Sequence, residues 1–395
     1  MNLLFLTYSY LPNLGGVKRS VHNLALLLGA RGHAVSVATH GGTAFPWRHR
    51  ATVAPPVFWL HIPNQTDSRF LVRWLRPALN SLNLLSLLAF CLVHRIDVVH
   101  GHLLNMDTVY AGWLSRLLGI RFVLTLRGGE TEEWIPSETR RRYLLDRLQE
   151  ADFITAVSRS LLEQAAVLDA AILERGAVIP NPVNVEALRG LARQSSVSEQ
   201  ERPYLLFAGR LEAVKDVACL LDAYAQQVAA DPGFPPDLFI VGEGSLRESL
   251  QRRALASGAS ARIHFLGRLS QSDTLGWISS ALALVLPSRS SEGCPNVLLE
   301  AMALETPVLV SDLPSLAELV EDRISGLVFP VGRADVLAAR LRELVSDSSA
   351  RDRWVASAGI RLRSHFAMAT VASAYEAIYA SLPAGRSFRR SCRRR

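Results

Sequence analysis

Two carboxylates with seven residues between them, Glu292 and Glu300, stand in the stretch SEGCPNVLLEAMALETPVLVSD. Pro295 can open a helix, which puts Glu300 about one and a half turns inside it and Glu292 on the Gly-Cys-Pro loop before it. A carboxylate accepts two hydrogen bonds side by side and so suits a vicinal diol on a ribose or a hexose edge. Paired acids also suit general acid and base work if both face one bond, and the spacing leaves the two readings open. Upstream, FAGRLEAVKDVACLLDAY sets Arg210 at the end of a strand and Lys215 five residues later, close to a helix start. Two cations placed so can converge on one diphosphate and stabilise the charge that grows on a leaving group. Near the N-terminus, Gly15 and Gly16 lie between a strand and a helix. Glycines there either let a phosphate approach the helix start or simply make a tight turn.

His100 and His102 in VVHGHL alternate on one side of a strand end. That spacing can put two ligands on a metal, or two hydrogen bonds on a substrate or the backbone. No third ligand stands out and no Asp-x-Asp motif for a metal nucleotide is present, so no metal is expected, and hydrogen bonds to a substrate or to the backbone are the preferred reading of the two histidines.

These residues need a scaffold that brings strand ends together. Short apolar runs alternate with helical patterns from the start, in LLFLTY, VHNLALLLGARG and AVSVAT, which is the mark of parallel βαβ units. Strands follow at IDVVHGH, RFVLTLRG, FITAVS and AVIPNP, with helices beginning near Asp107, Glu138 and Ser158. The fold class is α/β, with a first doubly wound domain over residues 1–183. Residues 184–203 lose the strand pattern and read as a connecting segment. A second series runs YLLFAGRL, PDLFIVGEG, RIHFLGRL, LALVLPS, TPVLVSD and GLVFPV, which gives a second Rossmann-like domain over 184–360. The last amphipathic stretch, about 361–382, is expected to pack back on the first domain, and the arginine tail, 383–395, to be disordered. Two such domains in series make a cleft in which the strand ends of both sheets face each other.

With 395 residues, 49% of them hydrophobic, the chain can build two cores. Cys91, Cys219, Cys294 and Cys392 show no framework or metal spacing and read as reduced thiols. The apolar start, MNLLFLTYSYLP, is expected to be a buried first strand and not a secretory leader. Leu79–Val93 is too short and too broken by Asn80, Ser81, Asn83 and Ser86 to span a bilayer. The charge of +7 is unevenly spread: the first 95 residues hold nine basic residues and one acid, Asp67, and the last ten hold six arginines. That asymmetry points to an anionic surface, and the leucines and aromatics of RFLVRWLRPALNSLNLLSLLAF favour a membrane over nucleic acid.

Taken together these segments resemble the retaining GT-B glycosyltransferases of family 4, also called group 1, over nearly the whole chain from Leu3 to Ser381. SEGCPNVLLEAMA is similar to that family's E-x7-E signature, and FAGRL with Lys215 to its diphosphate clamp. Gly15-Gly16, VGEG (241–244), FLGRL (265–269) and IPNPV (179–183) add to the likeness. The resemblance implies two Rossmann-like domains facing a central cleft and a nucleotide-sugar co-substrate such as a UDP-sugar or GDP-sugar, with no metal cofactor. Arg210 and Lys215 would bind the diphosphate, Glu300 the ribose hydroxyls, and Glu292 a hydroxyl of the transferred sugar. Gly16, with Gly15, would lie beside the phosphates or the sugar, and Gly267 and Arg268 near the base. Gly293 and Asn296, inside the signature, would join the donor site, and His100 and His102 would lie on the acceptor side. The sugar would pass with retention to a glycan or lipid-linked acceptor in cell-surface polysaccharide, lipopolysaccharide or glycolipid synthesis. The enzyme would then be cytoplasmic, peripheral at the inner face of the cell membrane. A non-catalytic partner subunit of the same fold, or a sugar-nucleotide epimerase, is the alternative. Two departures stand out: Arg127 replaces the histidine common after the strand FVLTL, and Glu305 replaces the glycine common after AMA.

Overall fold

The computed structural model of the chain describes residues 1–8, 10, 15–40, 55–60, 70–103, 108–129, 135–197, 200–290 and 292–383, with backbone alone for His40, Trp59 and 70–78. It divides into two units, Met1–Pro182 together with the chain from Ala369, and Val183–Met368. In the first unit seven strands form one sheet: β1 (Asn2–Thr7), β2 (Ala34–His40), β3 (Val57–Leu60), β4 (Val98–His102), β5 (Arg121–Leu126), β6 (Phe153–Ala156) and β7 (Gly176–Val178). Their order is β3-β2-β1-β4-β5-β6-β7 and every pair is parallel. Helices α1 (Gly16–Ala30), α2 (Phe70–Val93), α3 (Thr108–Leu118), α4 (Glu138–Glu150) and α5 (Arg159–Ala166) connect them. Parallel strands need such crossovers, and the crossovers bury both faces of the sheet. Leu3–Leu6, Val98, Val99 and Phe122–Leu124 are accordingly enclosed as unbroken apolar runs.

The second unit repeats the plan. Strands β8 (Tyr204–Ala208), β9 (Asp237–Val241), β10 (Ile263–Gly267), β11 (Ala283–Leu286), β12 (Val308–Ser311) and β13 (Leu327–Phe329) lie in the order β10-β9-β8-β11-β12-β13, again all parallel. Helices α6 (Val185–Ala192), α7 (Val217–Ala230), α8 (Arg247–Leu255), α9 (Gln271–Ser279), α10 (Asn296–Ala303), α11 (Pro314–Ala317), α12 (Ala334–Ser346) and α13 (Ser348–His365) belong to it. In both sheets the strand order reverses once, between β1 and β4 and between β8 and β11. The crevice beyond the strand ends at such a switch is where ligands settle in this class of sheet.

Three expectations change. The connecting segment is not all loop: Asn184 caps α6 by accepting the Ala187 N–H at 3.0 Å, and Val185–Ala192 is helix. The amphipathic stretch at 361–382 is two elements, because α13 runs to His365 in the second unit and only α14 (Met368–Ser381) lies in the first. The break is fixed where Val183 donates its N–H to the Phe366 carbonyl at 2.9 Å and Phe366 is buried. Strand β3, at VFWL, carries too short a pattern to be read beforehand. The helix expected to begin near Asp107 is α3, described from Thr108, and the arginine tail after Pro383 lies outside the described residues. Cys91, Cys219 and Cys294 are buried free thiols. Among the described residues no helix is long and apolar enough to cross a membrane.

Candidate functional site

Beyond β8 the chain turns through Gly209 and Arg210 into a short 3-10 turn, Ala213–Lys215, and then into α7. Backbone hydrogen bonds tie this loop to the one after β9: Gly209 to Val241 at 3.0 Å, Leu211 to Glu243 at 2.9 Å, and Leu246 to Leu211 at 3.0 Å. The approach is so close that a Cβ on Gly242 would lie 1.8 Å from the Gly209 carbonyl oxygen, and one on Gly244 would lie 2.3 Å from that of Leu211. The glycines of VGEG therefore hold the loop that presents Arg210. Arg210 itself is exposed and has no hydrogen-bond or ion-pair partner among the described residues. Gly242 also donates its N–H to the Gly267 carbonyl at 2.8 Å, which ties β10 into the same group of strand ends. Gly267 has φ +71°, a left-handed backbone that favours glycine, and turns the exposed Arg268 away from the strand.

Beyond β11 the loop Ser288–Pro295 leads into α10. Lys215 and Glu292 form an ion pair in contact, and Ser288 Oγ donates to the same Glu292 oxygen at 2.5 Å. The two chemical segments singled out from the sequence thus meet at the switch point of the second sheet. Ser288 Oγ was not foreseen, though it stands within hydrogen-bond reach of the signature in sequence. Pro295 precedes α10 and does not enter it; Asn296 is its first residue, so Glu300 lies about one turn in, not one and a half. Glu300 and Gly293 are buried. Among the described residues no group of three or more His, Cys, Asp or Glu is placed to hold a metal.

Glu305 stands in a left-handed backbone conformation that favours glycine. Its φ is +62°, and its carboxylate takes Arg189 Nη2 of α6 at 2.5 Å while Arg189 Nε reaches the Ala303 carbonyl at 3.3 Å. A left-handed glutamate is thereby held by the helix that the sequence reading left as a connector.

In the first unit Arg127 follows β5 and is buried, not a surface residue. Its Nη1 donates to Asn181 Oδ1 at 2.9 Å and its Nη2 to His102 Nδ1 at 3.1 Å. Because Nδ1 accepts, the His102 hydrogen sits on Nε2, which has no partner among the described residues. Burial, His100 and Arg127 all hold His102 well below the usual histidine pKa, so it is neutral. His100 lies 4.0 Å away, ring to ring, and is neutral too, chiefly through burial and then through Arg127. Its ring nitrogens meet Tyr379 Oη of α14 at 2.7 Å and Thr125 Oγ1 at 2.6 Å, and Thr125 Oγ1 lies 2.5 Å from Thr155 Oγ1. His100 is fully enclosed with both nitrogens engaged, which removes it from the acceptor side and makes it part of the seat of α14. Leu103, just after His102, has φ +68°, a strained backbone for a leucine at a strand end. Gly15 caps α1 in an extended conformation, and a Cβ there would meet Lys18 no closer than 3.5 Å, so the cap position alone does not demand glycine. Gly16 is the first helical residue, with Lys18 and Arg19 in the same turn.

Comparison with known sequences agrees with this arrangement. The pattern of the family described as Glycosyltransferase Family 4 matches residues 14–187, and that of Glycosyl transferases group 1 matches residues 189–360. The chain belongs to this family of glycosyltransferases, whose GT-B architecture is the pair of Rossmann-like units seen here. The glycogen synthase of Mycobacterium tuberculosis (strain ATCC 25618 / H37Rv) is 28% identical over 410 residues, 98% of this chain and 96% of the relative. The phosphatidyl-myo-inositol mannosyltransferase of the same strain is 27% identical over 390 residues, 92% and 93% of the two chains. Among solved structures, Anabaena HepE in complex with UDP and glucose aligns with a TM-score of 0.76 at 19% identity, over 97% of this chain and 100% of that one. At that identity the likeness concerns the fold.

Proposed function

We propose that the protein transfers a sugar, with retention of its anomeric configuration, from a UDP-sugar or GDP-sugar to a glycan or lipid-linked acceptor in the synthesis of a surface polysaccharide, lipopolysaccharide or glycolipid. The observation that carries the reading is the contact of Lys215 with Glu292 at the switch point of the second sheet. A nucleotide sugar offers a partner to each: the diphosphate to Lys215 and Arg210, a sugar hydroxyl to Glu292. Glu300 takes the ribose hydroxyls, Gly267 and Arg268 lie near the base, and Gly293 and Asn296 complete the donor side with Gly15 and Gly16. As the bond from the anomeric carbon to the diphosphate breaks, the acceptor oxygen bonds to that carbon from the same face. The acceptor's proton passes to the departing diphosphate oxygen, so neither glutamate acts as a nucleophile. The cations at the end of β8 stabilise the charge on the leaving group without a metal. On the acceptor side Arg127 positions an anionic group, with His102 fixed behind it.

The acceptor is proposed to be met at an anionic membrane, at the inner face of the cell membrane. Leu82, Leu85 and Leu92 of α2 are exposed on one side of the helix while Leu87, Phe90 and Cys91 are buried on the other, and Trp113 and Leu117 of α3 are exposed as well. An apolar stripe on a chain end rich in arginine suits the headgroup boundary of such a bilayer. Thermal-shift measurements with a panel of nucleotide sugars test the donor claim, since a ligand of the folded state raises its melting temperature. No shift with any of them would defeat it. NMR of the product then reads the anomeric configuration, and inversion would refute retention. Flotation with anionic vesicles should be weakened by salt and by Leu85→Ser with Leu92→Ser; equal binding to neutral vesicles would remove the electrostatic part.

A further inference from the structure

Neither Asp216 nor Arg289 has been given a part in the donor site, yet they join its two halves. Arg289 Nε and Nη2 both donate to Asp216 Oδ2, at 3.1 and 2.7 Å, and the Arg289 N–H donates to the Val214 carbonyl at 2.8 Å. Asp216 is the residue after Lys215, and Arg289 is the residue after Ser288, the hydroxyl on Glu292. The two loops are therefore tied at the backbone, at the Lys215–Glu292 pair and at the Asp216–Arg289 pair. Asp216 also stands in the left-handed region, φ +43° and ψ 44°, between the 3-10 turn and α7. That conformation is unfavourable for a side chain other than glycine and persists only where the surroundings impose it. A turn of three residues has little stability of its own. It is pinned at its start by Glu212, whose carboxylate takes the N–H of Ser245 at 3.0 Å and its Oγ at 2.6 Å, and at its end by Asp216. The Asp216 carboxylate is buried and would be costly without its counter-charge, so the guanidinium is held where it lies.

We infer that Arg289 is a positioning residue of the donor site: through Asp216 it fixes the turn that carries Lys215 against the loop that carries Glu292. The inference rests on the donor reading above. Its effect is preorganisation, so that a diphosphate and a sugar hydroxyl meet a lysine and a glutamate already at their working separation.

The test compares Arg289→Ala, Arg289→Lys, Asp216→Gly and the double variant Asp216→Gly/Arg289→Ala with UDP-glucose and GDP-mannose as donor probes. Glycine suits the left-handed backbone, so Asp216→Gly removes the carboxylate without straining the turn. Arg289→Ala should lower kcat about ten- to hundredfold, with less change in KM, because the lysine charge counts most as the diphosphate departs. Arg289→Lys should recover part of the loss, Asp216→Gly should match Arg289→Ala, and the double variant should be no worse than either alone. Additive losses would overturn the inference, as would a lowered melting temperature with unchanged kcat. A crystal structure of Arg289→Ala decides the tie without any donor: loss of the Lys215–Glu292 contact supports it, and an intact contact overturns it. If the parent protein binds neither probe nor any other nucleotide sugar, it is the donor reading that fails, and that structure still judges the tie.

Discussion

The two sheets share a strand order, yet the ends of their central strands hold polar groups in opposite ways. In the second unit acids and bases meet in pairs, Lys215 with Glu292 and Asp216 with Arg289. In the first, the buried guanidinium of Arg127 donates to two groups that carry no charge, the amide of Asn181 and the imidazole of His102. Paired charges can change partners, because a ligand that brings an anion and a hydroxyl replaces what each loses. Buried hydrogen bonds such as these fix the direction of a side chain, which suits a group that must stay in place. The second unit can thus exchange contacts at its Lys215–Glu292 pair, while the first keeps Arg127 in place.

The largest effect is expected in the exchanging unit. Arg210→Ala and Lys215→Ala should each lower kcat roughly 10²–10³-fold, the usual loss on removing a group that stabilises transition-state charge. Near-normal turnover in either would break the comparison at its first side. Chelator should leave the rate unchanged, whereas a strict need for Mg²⁺ or Mn²⁺ would move the counter-charge from these cations to a metal.

In the keeping unit, Arg127→Ala leaves Asn181 Oδ1 and His102 Nδ1 without this donor in a buried place. Each such loss costs about 1–3 kcal/mol, so the variant should lose both stability and turnover. Arg127→Lys retains the charge without the planar fork and should keep a small part of the rate. Arg127→His restores the residue common in the family but adds a third imidazole beside His100 and His102, and it should not rescue activity. A fully active alanine variant would deny Arg127 any catalytic role, and full rescue by histidine would show that a permanent cation is not needed.

Protonation separates the units more gently. His100 and His102 have pKa values depressed well below the ordinary histidine value, mainly by burial. A depressed histidine contributes stability that is complete above its unfolded value, about 6.5, and lost as pH falls below it, since the unfolded chain binds protons that the fold refuses. Each histidine contributes a slope of up to about 1.4 kcal/mol per pH unit below that point. The melting temperature should therefore fall between pH 7.5 and 5.5, and fall less steeply in His102→Gln. A melting temperature that stays level over this range would mean the pair is not buried neutral.

The second unit was far more legible in the sequence than the first, for a physical reason. Its six strands are short apolar runs bounded by glycine and proline, and Arg210, Lys215, Glu292 and Glu300 lie next to strand ends in sequence. The groups that hold Arg127 are far from it along the chain: Asn181 is 54 residues away, and Tyr379, which engages His100, is 279 residues from that histidine. No local pattern predicts such meetings. The same limit hid the Asp216–Arg289 pair, 73 residues apart.

The smallest effect is expected at Glu305, where both ways of holding charge are weak. Its left-handed backbone costs about 1–2 kcal/mol relative to a right-handed one, which glycine would not incur. Against that, Glu305→Gly frees the unfolded chain by roughly 0.5–1 kcal/mol and removes the contact with Arg189. That pair is exposed on both sides, at 37% and 65% of the side-chain surface, so it contributes about 0–1 kcal/mol. The terms nearly cancel, and the melting temperature of Glu305→Gly should stay within about 3 °C of the parent, with kcat unchanged. Glu305→Ala keeps the strain and loses the pair, and should be less stable than Glu305→Gly. If alanine were the more stable of the two, the left-handed conformation would not be what sets this position. If Glu305→Gly lowered kcat, the turn after α10 would be carrying Glu300 into place, and the exchanging unit would extend one loop further than its charged pairs.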